Sequence, residues 1–422
     1  MTLHQVVRSS SGNIRGLALD VSWWVWFIAV AALFFLDIIP TLPVIVFIAG
    51  ATVYALARPG LALNAICSSW ILWIYVIFAA LSVFWSQYPD WTLRASIQFA
   101  FSTGGFLVMV RALPAKSFLT VYLSAILLAD AVSLANPRMA WNAGGLAMIG
   151  IFGSKNSFGL MQALLIQVGV WVLLDRGQPR LMRALALIGV VGGAILIVAA
   201  LSVGAVVALA GALACSLLAF NLRHFRPRSR VVILCAGALL TAILCSFLIV
   251  FGDELFQAAL QLSGKSVNLS DRAPLWDVAN KMMQEHPIAG VGYQAFWQHG
   301  NPHAEDLWSR FQPARAGYHF HNLWYQSGVD LGYIGLGLAL LTVAVTAIEV
   351  ARWVVHSPSP TSCFFLGYVA FIILRSMLEV DLFAQFSLTG AVFLAAFVYA
   401  RQSRERSKAE GRVRMEAPGL RA

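Results

Sequence analysis

Apolar residues run along this chain in long blocks, with polar residues confined to the joints between them. A helix needs about 20 apolar residues to cross a bilayer core. Blocks of that kind lie near 21–38, 41–57, 65–84, 95–113, 117–135, 156–174, 184–200, 203–220, 231–251, 322–346, 361–378 and 382–400. They do not alternate as barrel strands do. Helices and closed barrels are the structures that satisfy their backbone in lipid. The pattern therefore predicts an all-α polytopic membrane protein of about twelve transmembrane helices. Only "LSV" separates the blocks at 184–200 and 203–220, so that pair reads as a tight hairpin or as one long broken helix.

Composition agrees. Of 422 residues, 59% are hydrophobic and 11% charged, against about a quarter charged in soluble domains. The start of the chain is polar through Ala18 and no small-residue cleavage site follows the first block, so no cleaved leader is expected. The five cysteines at 67, 215, 235, 245 and 363 fall inside apolar blocks without metal-type spacing, and read as small buried hydrophobes.

Charge sets the sides. Lys and Arg favour cytoplasmic connections. With both ends cytoplasmic, most of the 29 basic residues fall on every second connection, from Arg58 and Arg111 through Arg230 to the tail after Arg401. The net charge of +10 is then a topology signal, and nucleic acid is not an expected partner. The expected organisation is a cytoplasmic start at 1–20, spans one to nine over 21–251, a periplasmic loop over 252–321, spans ten to twelve over 322–400 and a basic tail over 401–422.

The basic residues that break this bias lie outside, and several sit at helix entrances. In "GIFGSKNSFG" (150–159), Lys155 and Asn156 open a span behind a cap at Ser154 or Asn156. In "LSDRAPLW" (269–276), Arg272 precedes Pro274 and an apolar stripe of Leu275, Trp276, Ala279, Met282 and Met283, which predicts an amphipathic helix resting on the membrane. In "HFHNLW", His319 and His321 flank a cap at Asn322. Helix entrances attract anions, so a phosphate or diphosphate is the expected ligand. Arg94 opens another span from the outer side. Glu379 and Asp381 lie between the last two spans, where Glu379 either belongs to the site or pairs with Arg375 one turn earlier. "HGNPH" (299–303) offers half a metal set, and no metal is expected. Gly290 and Gly292 form a plain turn or let backbone approach a ligand.

"WSQYPDWTLRAS", "GIFGSKNSFG", "SDRAPLWDVANKMMQEHPIAGVGYQAF", "HFHNLWYQSGVDLGYIG" and, more loosely, "LEVDLF" resemble, in this order, the bacterial O-antigen ligase and polymerase superfamily, and within it exopolysaccharide polymerases of the ExoQ type. The resemblance implies a metal-independent, cofactor-free glycosyltransferase of the bacterial inner membrane. It would act on the periplasmic face and pass an undecaprenyl-diphosphate-linked oligosaccharide to a glycan acceptor, in polymerisation or in ligation to lipid A core. Membrane lipids and a chain-length regulator or export protein would be its other partners. It assigns the catalytic centre to His321, with His319 second and Arg272 beside them. Diphosphate and substrate binding fall to Lys155, Asn156, Asn322 and Glu379, with Arg94 and Arg315 as weaker candidates. One departure stands out: where the family carries a Ser followed by a basic residue, this chain has Ser202 in "LSVGAVV" and no cation. A flippase for the same lipid is the alternative from another class. It would carry charge at mid-membrane, whereas span centres here are nearly free of it; Asp130 is an exception, without a role the sequence explains.

Overall fold

The computed structural model describes residues 21–142, 145–237, 272–311 and 318–416. Its elements are α1 (Val21–Leu33), α2 (Thr41–Ala57), α3 (Pro59–Ser68), α4 (Trp70–Leu81), α5 (Pro89–Ala112), α6 (Ala115–Ala135), the strands β1 (Met139–Asn142) and β2 (Gly145–Met148), α7 (Lys155–Leu174), α8 (Arg180–Ala199), α9 (Val203–Asn221), α10 (Ala273–Glu285), α11 (Pro302–Phe311), α12 (Leu323–His356), α13 (Pro360–Ser376) and α14 (Leu388–Glu416). Residues 227–237 are helical as well.

Six described helices are long and apolar enough to cross a membrane, or seven if α2 and α3, bent by 109° at Arg58, count as one span. The protein is a multi-pass, almost wholly helical membrane protein. The expected span over 231–251 falls largely outside the described residues, as do Cys245 and Arg315. Residues 184–220 form two helices. They part at Ala200–Ser202, where Leu201 takes a left-handed φ of 49°. Among the described residues, the one departure from an all-helical chain is the short β1–β2 hairpin, antiparallel with Met139 opposite Met148. Cys363 is buried, but Cys67 and Cys235 are exposed on the helical surface, contrary to the expectation of buried cysteines.

Polar contacts divide the bundle into two ends. At one, Arg111 Nη2 donates to Ser68 Oγ (2.8 Å), Lys116 pairs with Asp175 (2.7 Å), Arg230 Nη1 donates to the Val355 carbonyl (2.7 Å) and Arg404 pairs with Glu349 (2.9 Å). At the other, Asp37 accepts from Gly153 N (2.6 Å), Thr92 Oγ1 donates to the Tyr293 carbonyl (3.0 Å) and Gln385 reaches the Ala95 carbonyl (3.3 Å). All five described non-glycine residues with positive φ are Leu201, Gln294, His321, Phe383 and Phe386. They fall in the joints of this second end. Between the ends, Asp130 accepts from Gln162 Nε2 at 2.7 Å. The buried carboxylate thus ties α6 to α7, which supplies the account its sequence lacked.

The segment joining α9 to α12 builds a body of its own. The apolar stripe of α10 (Leu275, Ala279, Met282, Met283) is buried against Val291, Phe296, Leu307, Trp308, Phe320 and Val329. The stripe therefore faces protein, not lipid as expected. This body is locked to α12 at a break in that helix. Gly332 has φ 65° and ψ −165°. The backbone groups freed there are taken by the loop after α10. Val291 N donates to the Val329 carbonyl (3.0 Å) and Gly292 N to the Asp330 carbonyl (2.9 Å), while Tyr333 N and Ile334 N donate to the carbonyls of Pro287 (2.7 Å) and Ile288 (3.2 Å). A Cβ on Gly332 would sit 2.4 Å from the Ile288 carbonyl, and one on Gly290 2.5 Å from that of Asp330. The glycines of "HPIAGVG" and "DLGYIG" therefore serve a backbone-to-backbone approach. A broken helix at membrane depth is tolerated only where protein satisfies it, and this loop does so.

Candidate active site

Four segments remote in sequence meet around one carboxylate. Glu379 lies in the turn between α13 and α14, only 7% exposed. Its Oε1 accepts from Asn156 Nδ2 (2.7 Å) and pairs with Arg272 Nη2 (3.3 Å). Its Oε2 lies 3.2 Å from His321 Nδ1 and 3.8 Å from His319 Nε2. Lys155 stands beside Asn156 at the start of α7 and feels the positive charge of Arg272.

Each member is held from behind. Ser154 caps α7 by accepting from Ser157 N (3.1 Å), leaving Asn156 to reach Glu379 while its Oδ1 accepts from Ser202 Oγ (3.2 Å). Ser202 thus supports the site, and the cations nearby come from α7 and α10. Arg272 sits at the first turn of α10, where Pro274 suits the backbone. One turn on, Trp276 Nε1 donates to the Phe320 carbonyl (3.0 Å) and the indole stacks on Tyr325. That bond ties the helix carrying Arg272 to the segment carrying the histidines. Asn322 caps α12, accepting from Trp324 N (2.9 Å) and Tyr325 N (3.2 Å), and its Nδ2 donates to the Met377 carbonyl (3.1 Å). The entrances of α7 and α12 are thus already satisfied by Ser154 and Asn322. Anion attraction here rests on side-chain cations more than on free helix N–H groups.

Glu379 does not pair with Arg375. Arg375 is buried and grips Asp381 (Nη2–Oδ1 3.2 Å), which fixes the turn on which Glu379 stands. His321 holds a left-handed φ of 50°, a conformation that costs an L-residue roughly 1–2 kcal/mol. Its ring lies edge-on to Tyr318, with centroids 5.3 Å apart.

The backbone of His321 fixes the tautomer of His319. His321 N donates to His319 Nδ1 at 3.1 Å. The lone pair on that nitrogen is used, so the His319 proton sits on Nε2, facing Glu379. Burial, then the positive charges of His321, Arg272 and Arg375, outweigh Glu379 and push His319 down to about 4. Burial alone would raise the Glu379 carboxyl. The His321 hydrogen bond and the charges of His321, His319 and Arg375 outweigh that and hold it at about 2.

The ligand atoms of His319, His321 and Glu379 all lie within 4.8 Å of one another, a separation compatible with a metal ion. The donor set argues against one. Protonated on Nε2, His319 has no lone pair to offer there, and Glu379 is engaged by Arg272 and Asn156. The cluster is arranged to hold protons and charge.

Of the other expected residues, Arg94 is exposed on α5 with its guanidinium over Trp91, 5.7 Å from the ring centroid. Among the described residues it has no hydrogen bond or ion pair to the Glu379 cluster. Arg315 lies outside the described residues. His299 pairs with Glu305 at 3.2 Å on the exposed surface. Sequence reasoning missed Trp276 and the Gly332 break as supports, although the Arg–x3–Trp and Gly-x-x-Gly spacings carried both.

The chain is similar to known proteins over much of its length. The O-antigen ligase family matches residues 188–340, which hold Arg272, His319 and His321. The exopolysaccharide production protein ExoQ of Rhizobium meliloti (strain 1021) is 28% identical over 323 residues, covering 74% of this chain and 72% of the relative.

Proposed function

From a chain related to the O-antigen ligases and to ExoQ, we propose a polysaccharide polymerase that transfers an undecaprenyl-diphosphate-linked glycan to a sugar hydroxyl on the periplasmic face of the inner membrane. The observation carrying this reading is the convergence of Arg272, Asn156 and His321 on Glu379, with Lys155 next to Asn156 and within the field of Arg272, at one end of the bundle. The basic connections gather at the opposite end, which supports reading that end as the cytoplasmic one. Polymerisation is preferred to ligation on lipid A core because ExoQ is named for exopolysaccharide production.

The acceptor hydroxyl attacks the anomeric carbon of the donor, and the bond from that carbon to the diphosphate oxygen breaks. Glu379 accepts a hydrogen bond from His321 Nδ1–H and fixes the ring, so His321 Nε2 is free to take the hydroxyl proton. His319 cannot play that part, because its lone pair is spent on His321 N. It serves as a neutral donor beside Glu379. The leaving diphosphate gathers the largest charge of the transition state. Arg272 and Lys155 stand ready for it without reorganisation. Asn156 and Asn322 hold the frame.

The test is chromosomal replacement by His321→Ala. Polymer should disappear while protein level is unchanged and lipid-linked repeat unit accumulates. Normal polymer in that strain would overturn the assignment. Single repeat units already joined to lipid A core would be expected of a lost O-antigen polymerase, and long chains stranded on the carrier would identify a ligase instead.

A further inference from the structure

A second polar cleft opens at the far end of α10. Gln87, Tyr88, Glu285, His286, Asn301 and His303 line it, together with Met282 and Pro302, around a volume of about 300 Å3. That is the lower end of the range for small-ligand sites, about 300–1,000 Å3. We infer that this cleft is a carbohydrate subsite, and that it binds a neutral sugar of the growing glycan remote from the reacting bond. The inference rests on the glycosyl-transfer reading above and names where the glycan lies.

The frame of the cleft is rigid. Gln87 N donates to the Val291 carbonyl (3.0 Å) and Tyr88 N to Ser86 Oγ (3.0 Å). Asn301 is buried, donating to the Phe296 carbonyl (2.7 Å) and accepting from His303 N (3.1 Å). His286 is fixed as the C-cap of α10. The tips that face the opening are not spent on this frame. Among the described residues, the side chains of Gln87, His286 and His303 and the Tyr88 hydroxyl make no hydrogen bond. Planar amide, imidazole and carboxylate groups around an aromatic ring match the mixed donors, acceptors and apolar C–H faces of a pyranose. Glu285 is the one carboxylate in the lining, and Lys281 one turn earlier on α10 pairs with it at 3.8 Å. The cleft thus offers no uncompensated cation to select an acidic sugar or a phosphate.

Position agrees with chemistry. Arg272 and Glu285 stand at opposite ends of the same helix, which at 1.5 Å per residue puts them about 20 Å apart. That is the reach of a short oligosaccharide. A glycan with its diphosphate at Arg272 can therefore lay a distal ring beside Tyr88. Sugar hydroxyls binding there would add affinity without touching the reacting carbon, so loss of the subsite acts on substrate binding and leaves the chemical step intact.

The experiment uses the full-length protein and undecaprenyl-linked glycan extracted from cells lacking it, whole or trimmed of distal sugars by a glycosidase. With whole glycan, Gln87→Ala/His303→Ala should raise KM about tenfold, as expected for two ordinary hydrogen bonds lost, with kcat within about twofold. Gln87→Asn/His303→Gln should recover part of that loss. With trimmed glycan, wild type and the alanine variant should behave alike. An unchanged KM on whole glycan, or an equal defect on trimmed glycan, would overturn the subsite. His321→Ala run alongside separates the two claims: activity surviving in that variant would sink the glycosyl-transfer reading, whereas its loss beside an unaltered cleft variant would sink the subsite alone.

Discussion

Replacing Gly332 by alanine should damage the protein far from any charged group. At φ 65° and ψ −165°, a region held almost solely by glycine, an alanine pays roughly 1–3 kcal/mol. Its Cβ would also lie 2.4 Å from the Ile288 carbonyl carbon and oxygen and 2.5 Å from Ala289 N. These are backbone atoms, so the loop after α10 must move as a whole. The bonds beside the break, Tyr333 N to Pro287 O (2.7 Å) and Ile334 N to Ile288 O (3.2 Å), would stretch first, at roughly 1 kcal/mol each. The sum is about 3–5 kcal/mol, or a fall in apparent melting temperature of roughly 3–6 °C for a chain of 422 residues. Gly337→Ala is the control: nothing lies within 4 Å of its Cβ and its helix is regular there, so it should be neutral or slightly stabilising. Thermal unfolding of both variants in one detergent, with polymer synthesis in cells, measures the difference. A Gly332→Ala protein as stable and active as Gly337→Ala would refute the docking of the loop into the broken helix.

Other outcomes follow from the same contacts. Glu379→Gln keeps the shape but removes the charge facing Arg272 and His321. A carboxyl held at about 2 against an ordinary 4.5 stabilises the fold by about 3 kcal/mol at neutral pH, present above pH 4.5 and lost as pH falls through 2; melting at pH 7 should register its removal, and glycan transfer should drop roughly 100-fold or more. His319, held at about 4 against 6.5, binds its proton more readily in the unfolded chain, so stability falls as pH drops below 6.5. The His319 side chain is 35% exposed, so solvent screens part of that loss, and His319→Gln should flatten the melting curve between pH 7 and 5. Trp276→Phe removes the bond to the Phe320 carbonyl at a cost of about 1 kcal/mol; if the tie positions Arg272 against His321, kcat should fall with KM little changed, whereas an unaltered kcat would make the tie purely structural.

Much of this molecule was legible because lipid imposes a coarse rule. Apolar blocks at 117–135, 156–174 and 203–220 match α6, α7 and α9 closely, since nothing but a helix satisfies such a stretch. Boundaries drifted where helices leave the lipid. The first turns of α5 (Pro89–Arg94) are polar, and α14 runs on through a charged tail to Glu416, where hydropathy gives no signal. The stripe on α10 was visible, but a stripe does not say what covers it, and protein covers it here. The entrance residues Lys155, Asn156, Arg272, His319 and His321 could be picked out because polar groups beside apolar blocks need a reason. Their common partner was legible too, but with a competing reading: Glu379 is four residues from Arg375 and two from Asp381, and local spacing left a pair with Arg375 open beside a place in the site. Arg94 fitted the same pattern yet faces outward, because helical phase, not position along the axis, decides where a side chain points.

The central claim is that Arg272 and Lys155 hold a diphosphate beside His321. Its most direct test is equilibrium binding of undecaprenyl diphosphate to purified wild-type protein, Arg272→Ala/Lys155→Ala and Arg94→Ala. The account predicts binding at least about tenfold weaker in the double variant, a shallower salt dependence there, and wild-type affinity in Arg94→Ala. Equal affinity in wild type and the double variant would contradict it.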